Sequence, residues 1–482
     1  MASSRKKSAR QRAVPLSGNV FADMSRAFWG FAAFASFVAL LGGASRYDVE
    51  SLPVLRVVSV LVLAFAAWKM PADRLRAVKW PMVLLGLLAA TMVMQLIKLP
   101  PSIWQDLAGR DIIYRIGVAA GMEDIWRPIT FSPAATWNSL ASLAVPAAAL
   151  ALLAWMDRAE RRQTLWVFVS IGAFSAFLGV VQLALPSADN LYFYDITNNG
   201  SAVGLFANRN HNAIFCGIAL LAAIDRLQEE WGGSDWPFRI GGASIAALLV
   251  IGILVNASRA GLLVLVLVFA LTSIRQFIML RSGDGYGKGS VALRLLYAVL
   301  PVAGAAILAA MLFAQNRLTG LTRLVEQDPL GEQRTQLLPY FWQMLQDYMP
   351  WGAGFGAFEQ AYRTIEPAET LGPRYLNQAH NDWIQFFIEG GAFAAVILVL
   401  FAVLILRAAV KMVRSGSSGT AGRRQTLLAL MLLALFAAGS LVDYPLRTPL
   451  AMIFAVYCLA TVLRPVSGTD DALQVAHSQP KS

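Results

Sequence analysis

Cysteine, histidine and charge are all scarce in this chain, and each shortage removes a class of function. Only two cysteines occur in 482 residues. Both Cys216 and Cys458 sit in apolar runs, which argues against disulfides and excludes a metal site built on thiolates. Charged residues make up 14% of the chain, where soluble domains run near a quarter. Hydrophobic residues make up 57%, and the mean hydropathy is +0.56. A soluble domain is thereby excluded. Several apolar stretches reach roughly the 18 residues needed to cross a bilayer core as a helix. The net charge of +11 does not indicate a nucleic-acid partner. Basic residues collect in short loops between apolar runs, the pattern of membrane orientation and contact with lipid headgroups.

Apolar run length predicts an all-α polytopic membrane protein of about twelve spanning helices. They fall near 27–44, 52–70, 79–98, 137–156, 164–184, 211–226, 240–257, 259–278, 291–314, 381–407, 424–441 and 447–464. Residues 1–26 form a basic cytoplasmic arm, without the apolar run and cleavage site of a signal peptide. Residues 27–464 form a single transmembrane bundle, and 465–482 a polar cytoplasmic tail. Basic clusters at Lys69–Lys79, Arg158–Arg162, Arg275–Arg294 and Lys411–Arg424 share one side, which the positive-inside rule makes cytoplasmic. Loops 99–136, 185–210 and 315–379 then face outward. The large loop 315–379 carries a short amphipathic helix around Leu337, Leu338, Phe341, Trp342 and Leu345, and a glycine-rich turn, WGAGFGAF, at Trp351–Phe358.

The residues suited to chemistry lie at outward helix ends. Arg209 and His211 occur in GLFANRNHN, Arg259 follows NAS at a sharp reversal, Arg334 lies in the large loop, and His380 opens the tenth span. Arginine offers a planar fork of donors to phosphate oxygens and keeps its charge. A cationic cluster at headgroup level fits a lipid-linked diphosphate, whose departure it would stabilise. The structural alternatives are snorkelling for the arginines, a cap for His380, and an ordinary helix start for His211. Gly391 falls about three turns beyond His380 on the same helix face. Asp382 and Glu389 fall on nearly the opposite face, so a carboxylate partner for His380 must come from elsewhere. Asp443 and Arg447, in VDYPLRTP, are expected to pair with each other.

The segment NQAHNDWIQFFIEGG resembles the signature of the O-antigen ligase and polymerase superfamily, a histidine followed eleven residues later by glycine. NASRAGLL resembles its second marker, an arginine followed four residues later by leucine, here Arg259 and Leu263. GLFANRNHNAIF, QRTQLLPYFWQML with PWGAGFGAF, and DYPLRTP are also similar to that family. The likeness spans roughly 200–450. It implies a metal-independent, inverting membrane glycosyltransferase of the C type, with no cofactor. Such an enzyme works at the periplasmic face of the bacterial inner membrane. The donor would be a glycan on undecaprenyl diphosphate. The acceptor would be a hydroxyl of the lipid A–core for a ligase, or another lipid-linked glycan for a polymerase. Transfer to a protein hydroxyl, or glycan transport, are the further alternatives. By the same resemblance Arg259 and Arg334 would bind the diphosphate, His380 would either contact the diphosphate or activate the acceptor hydroxyl, and Arg209 would be a further substrate-binding residue.

Overall fold

The computed structural model describes residues 24–185, 188–230, 235–256, 258–281, 329–368, 371, 376–414 and 420–464. Its helices are α1 (Arg26–Leu41), α2 (Ser51–Lys69), α3 (Lys79–Gln95), α4 (Pro133–Trp155), α5 (Arg158–Ala184) and α6 (Arg209–Glu230). They continue with α7 (Trp236–Val255), α8 (Arg259–Arg281), α9 (Pro329–Tyr348), α10 (Asp382–Arg414), α11 (Thr420–Val442) and α12 (Pro449–Val462). Eight of these are long and apolar enough to cross a membrane, namely α2–α5, α7, α8, α10 and α11, while α1 and α12 are shorter apolar helices. The α6 helix drops out of that group because Asp225, Arg226, Glu229 and Glu230 crowd its last turns. The span expected at 291–314, and the first part of the large loop, 315–328, lie outside the described residues.

The α6 helix is the axis of the bundle. From Asn210 to Ala223 every residue is buried, and α5, α7, α8 and α11 pack around it. Small residues permit the close approach: Gly172 lies against Ala219, Gly217 against Val264, and Gly252 against Ala176. Inside a bilayer the lipid tails are as apolar as the side chains, so such close van der Waals packing, rather than release of water, holds helices together. Aromatic rings fill the space beside α6, where Phe168 stacks on Phe454 with centroids 4.0 Å apart. At the C-terminal end of α6, Glu229 pairs with Arg162 and Arg226, Glu230 with Arg226, and Asp225 with Arg275. Several of the basic residues that mark one side in the sequence are thus tied to the bundle there by ion pairs.

At the opposite end α10 is broken by design of its sequence. Gly391 adopts φ 58° and ψ −141°, and a Cβ there would run into the Pro350 carbonyl oxygen. The break frees backbone groups that lipid cannot satisfy. The glycine-rich turn takes them up. Ala353 N donates to Ile388 O at 2.8 Å, Gly354 N to Glu389 O at 3.0 Å, and Ala392 N to Pro350 O at 2.8 Å. The fully buried Gln95 completes the joint. Its amide donates to Glu389 O at 2.8 Å and to Trp351 O at 3.3 Å, and accepts from Phe355 N at 3.0 Å. Trp351–Phe358 is therefore a turn that clasps a helix break, in keeping with the sequence reading of it as a turn.

The expected short helix is part of α9. Leu337, Phe341, Met344 and Tyr348 form its buried face, whereas Leu338 and Trp342 are exposed. A two-stranded ribbon, Lys98–Leu99 with Arg127–Pro128, closes the loop after α3. Arg110 anchors that loop to the turn, donating to Ala108 O, Ile129 O and Gly352 O at 2.6–2.7 Å, beside the rings of Phe131 and Tyr348. Burial pushes its guanidinium down to about 10, still cationic at neutral pH.

Candidate active site

His380 does not belong to α10, which begins at Asp382. The cap is Asn381, whose side-chain oxygen accepts from Trp383 N at 3.0 Å and Ile384 N at 3.1 Å. This leaves the imidazole free for other contacts. His380 itself sits at φ 51°, a conformation uncommon outside glycine and one that surrounding structure must enforce. That enforcement is visible on both sides. Ala379 N donates to Gln385 Oε1 at 2.8 Å, Asn381 Nδ2 to Leu441 O at 3.0 Å, and Trp383 Nε1 to Ala437 O at 3.0 Å. The same-face relation between His380 and Gly391 that a continuous helix would create is absent. His380 precedes the helix and Gly391 interrupts it.

The carboxylate that faces His380 comes from the turn after α11. Asp443 is fully buried, and its Oδ1 lies 3.4 Å from His380 Nδ1 and 3.4 Å from His211 Nε2. Both contacts are at ion-pair range, short of hydrogen-bond alignment. Its Oδ2 accepts from Asn210 Nδ2 at 2.6 Å and from Asn208 Nδ2 at 3.4 Å. Burial raises the Asp443 carboxyl, but the two imidazoles outweigh it and hold the group well below the usual carboxylate range. The Tyr444 ring meets both imidazoles edge-on, at centroid distances of 4.8 and 4.9 Å. His211, read from sequence as an ordinary helix start, is 2% exposed and shares the aspartate with His380.

The expected Asp443–Arg447 pair does not form. Arg447 turns instead to α10, with its Nε 3.2 Å from Asp382 Oδ1 and its Nη2 3.0 Å from Glu389 Oε2. The reason is positional. The 3-10 turn Pro445–Arg447 carries Arg447 toward α10, while Asp443 meets the start of α6. Glu389 and Asp382 raise the Arg447 guanidinium more than burial lowers it. Ser440 Oγ and Gln385 Nε2 complete the carboxylates at 3.0 and 2.9 Å.

Two arginines open helices beside this cluster. Arg209 is the first residue of α6 and is half-buried, and Arg259 is the first residue of α8 and is exposed. Backbone and neighbouring side chains join the two starts. Asn256 Nδ2 donates to Arg209 O at 2.8 Å, and Ser258 Oγ to Asn210 Oδ1 at 2.5 Å. Asn210 in turn holds Asp443. A continuous path of contacts thus runs from the start of α8 to His380. Neither guanidinium has a carboxylate partner among the described residues. Two helix N-termini, each with positive dipole and unpaired arginine, make a ready anion site. Arg334 lies in the first half of α9, but its side chain falls outside the described residues.

The sequence singles out His380, Arg209 and Arg259, and the fold brings their segments together. It gives Asp443, His211 and Glu389 structural readings only, and does not name Gln95. One signal was present for Asp443: it is the only acidic residue between Gly390 and Arg464. No curated protein matches the chain. Residues 244–399, about a third of the chain and including Arg259, Arg334, His380 and Gly391, match the family model described as O-antigen ligase. Arg209, His211 and Asp443 lie outside the matched segment, yet they complete the same cluster, and the match supports a likeness to the O-antigen ligase and polymerase superfamily.

Proposed function

We propose that the chain is a glycosyltransferase of the ligase kind. It moves a glycan from undecaprenyl diphosphate to a hydroxyl of the lipid A–core at the periplasmic face of the inner membrane. The observation that carries this reading is the His380–Asp443 pair set beside the two arginine-bearing helix starts. In the proposed step the acceptor oxygen attacks the anomeric carbon from the face opposite the diphosphate. The carbon–oxygen bond to the diphosphate breaks with its electron pair, inverting the centre. His380 takes the acceptor proton through the nitrogen that does not face Asp443. Asp443 stabilises the resulting imidazolium, as a buried carboxylate does for a general base. Arg209, Arg259 and the N-termini of α6 and α8 receive the charge that grows on the departing diphosphate. Arg334 is proposed as a third phosphate ligand. No metal is needed where arginines supply the positive charge.

The test is transfer in proteoliposomes holding the full chain, a lipid-linked glycan and lipid A–core. His380→Ala, Arg259→Ala and Arg334→Ala are each expected to abolish product while the protein still inserts, and chelation is expected to leave wild-type transfer intact. Full activity in all three variants would remove the assignment. Supplying lipid-linked glycan as the sole acceptor separates a polymerase, which would lengthen it, from a ligase, which would not.

A further inference from the structure

A groove of about 420 Å³ runs along α2, α3, α10 and α12. Leu84, Leu88, Met92, Phe401, Met452 and Leu459 give it an apolar wall. Neither His380 nor Arg259 lines it. Six charged side chains do: Arg46, Arg56, Glu359, Asp382, Glu389 and Arg447. Arg46 is held by Asp48, Glu359 by Arg363, and Arg447 holds both Asp382 and Glu389. Among the described residues Arg56 alone of the six has no carboxylate partner. Its Nη2 donates to Asn138 Oδ1 at 2.6 Å, and its Nε is buried with no acceptor.

A cation on a membrane helix without a counter-ion is costly, and such groups find partners. The apolar wall calls for a hydrocarbon chain, and the unpaired guanidinium for a phosphate oxygen. Charge decides between lipids. Asp382 and Glu389 share one arginine, so the end of the groove they occupy is short of one positive charge while Arg56 is short of one negative. A polyprenyl diphosphate would set at least two negative charges beside those carboxylates. A phosphodiester carrying an amine answers both deficits.

We infer that this groove holds a resident bilayer glycerophospholipid with an aminoalkyl headgroup, its phosphate on Arg56 and its amine toward Asp382 and Glu389. The lipid is part of the wall between α2 and α10 and not a substrate. This inference stands apart from the proposed reaction, since its site shares no residue with the His380–Asp443 pair.

The test uses the full chain, extracted in mild detergent and exchanged into equal phosphatidylethanolamine and phosphatidylglycerol, with bound lipid read by native mass spectrometry. A single phosphatidylethanolamine is expected on the wild type. Arg56→Gln is expected to weaken its retention about tenfold, the loss that removing a charge-assisted hydrogen bond brings. Leu88→Trp, which fills the apolar wall and leaves the arginine in place, is expected to expel it as well. Thermal melts of each variant verify folding. Retention of phosphatidylglycerol or a polyprenyl lipid in its place, or retention unchanged in both folded variants, would overturn the proposal.

Discussion

Replacing Asp443 with asparagine removes one charge and almost no volume. The carboxylate stands 3.4 Å from a nitrogen of each imidazole. At an effective dielectric of about 20, a full charge pair at that distance is worth roughly 5 kcal/mol. Imperfect alignment of both contacts reduces the share available to the developing imidazolium. A general base that loses its charged partner is expected to slow by about 10²–10⁴-fold, or ~3–5 kcal/mol of barrier. The assay is single-turnover transfer in proteoliposomes with donor saturating, so that the barrier rather than donor binding is read. A second readout is acid stability. Because Asp443 is held below its ordinary value in the fold, its contribution is complete above the unfolded carboxylate pKa of about 4 and is lost as pH falls through the folded value. The melting temperature of the wild type should therefore fall below about pH 4. Asp443→Asn should fall less over that range. A variant that transfers within about threefold of wild type, against the hundredfold minimum expected of a base's partner, would refute the assignment of Asp443 to His380.

Three further perturbations follow from the packing. Gln95→Leu removes three hydrogen bonds from the break in α10. Each orphaned buried group costs about 1–3 kcal/mol, so a lower melting temperature should accompany loss of transfer, and unchanged melting would show the joint is held otherwise. Arg447→Met strands Asp382 and Glu389, and breaking such a buried pair typically costs about 3–5 kcal/mol. Adding Asp382→Asn and Glu389→Gln should restore much of it in a thermal melt. His211→Gln keeps a polar group near Asp443 but no charge. Transfer should fall about tenfold, against a hundredfold or more for the equivalent change at His380, and equal losses would make the two histidines equivalent in the reaction.

How much of this was legible beforehand depends on the range of the interaction. Spans of apolar residues are local, and eleven of the twelve expected segments fall on described helices, though length and composition qualify only eight as spans. The rarity of His380 and the isolation of Arg259 were equally local. The pairing of charges was not. Asp443 and Arg447 are four residues apart, and sequence distance alone favours a pair. Their real partners lie 63 residues before Asp443 at His380, and 58 and 65 before Arg447 at Glu389 and Asp382. A chain that passes repeatedly through a bundle brings distant helix ends to one surface, so proximity in number predicts little there. Gly391 shows the same limit: its spacing to His380 was readable, but the reversal of backbone that voids the shared face depends on a turn some 40 residues earlier.

That reversal also accounts for the placement of the glycine. A histidine forced to φ 51° needs fixed backbone on both sides. The N-terminal side is tied by Ala379 N donating to Gln385 Oε1, and the start of α10 is tied to α11 through Asn381 and Trp383. The C-terminal side cannot be tied by a regular helix, whose carbonyls are all committed to its own ladder. A break at Gly391 releases the carbonyls of Ile388 and Glu389 to the Trp351–Phe358 turn and to Gln95. The first turns of α10 thereby become a short rod clamped at both ends, with His380 at one tip and Glu389 locked to Arg447 near the other. A histidine and a glycine eleven residues apart are thus the two ends of one clamp, and substituting alanine at Gly391 should disturb transfer through the position of His380, read as lost activity with donor binding retained.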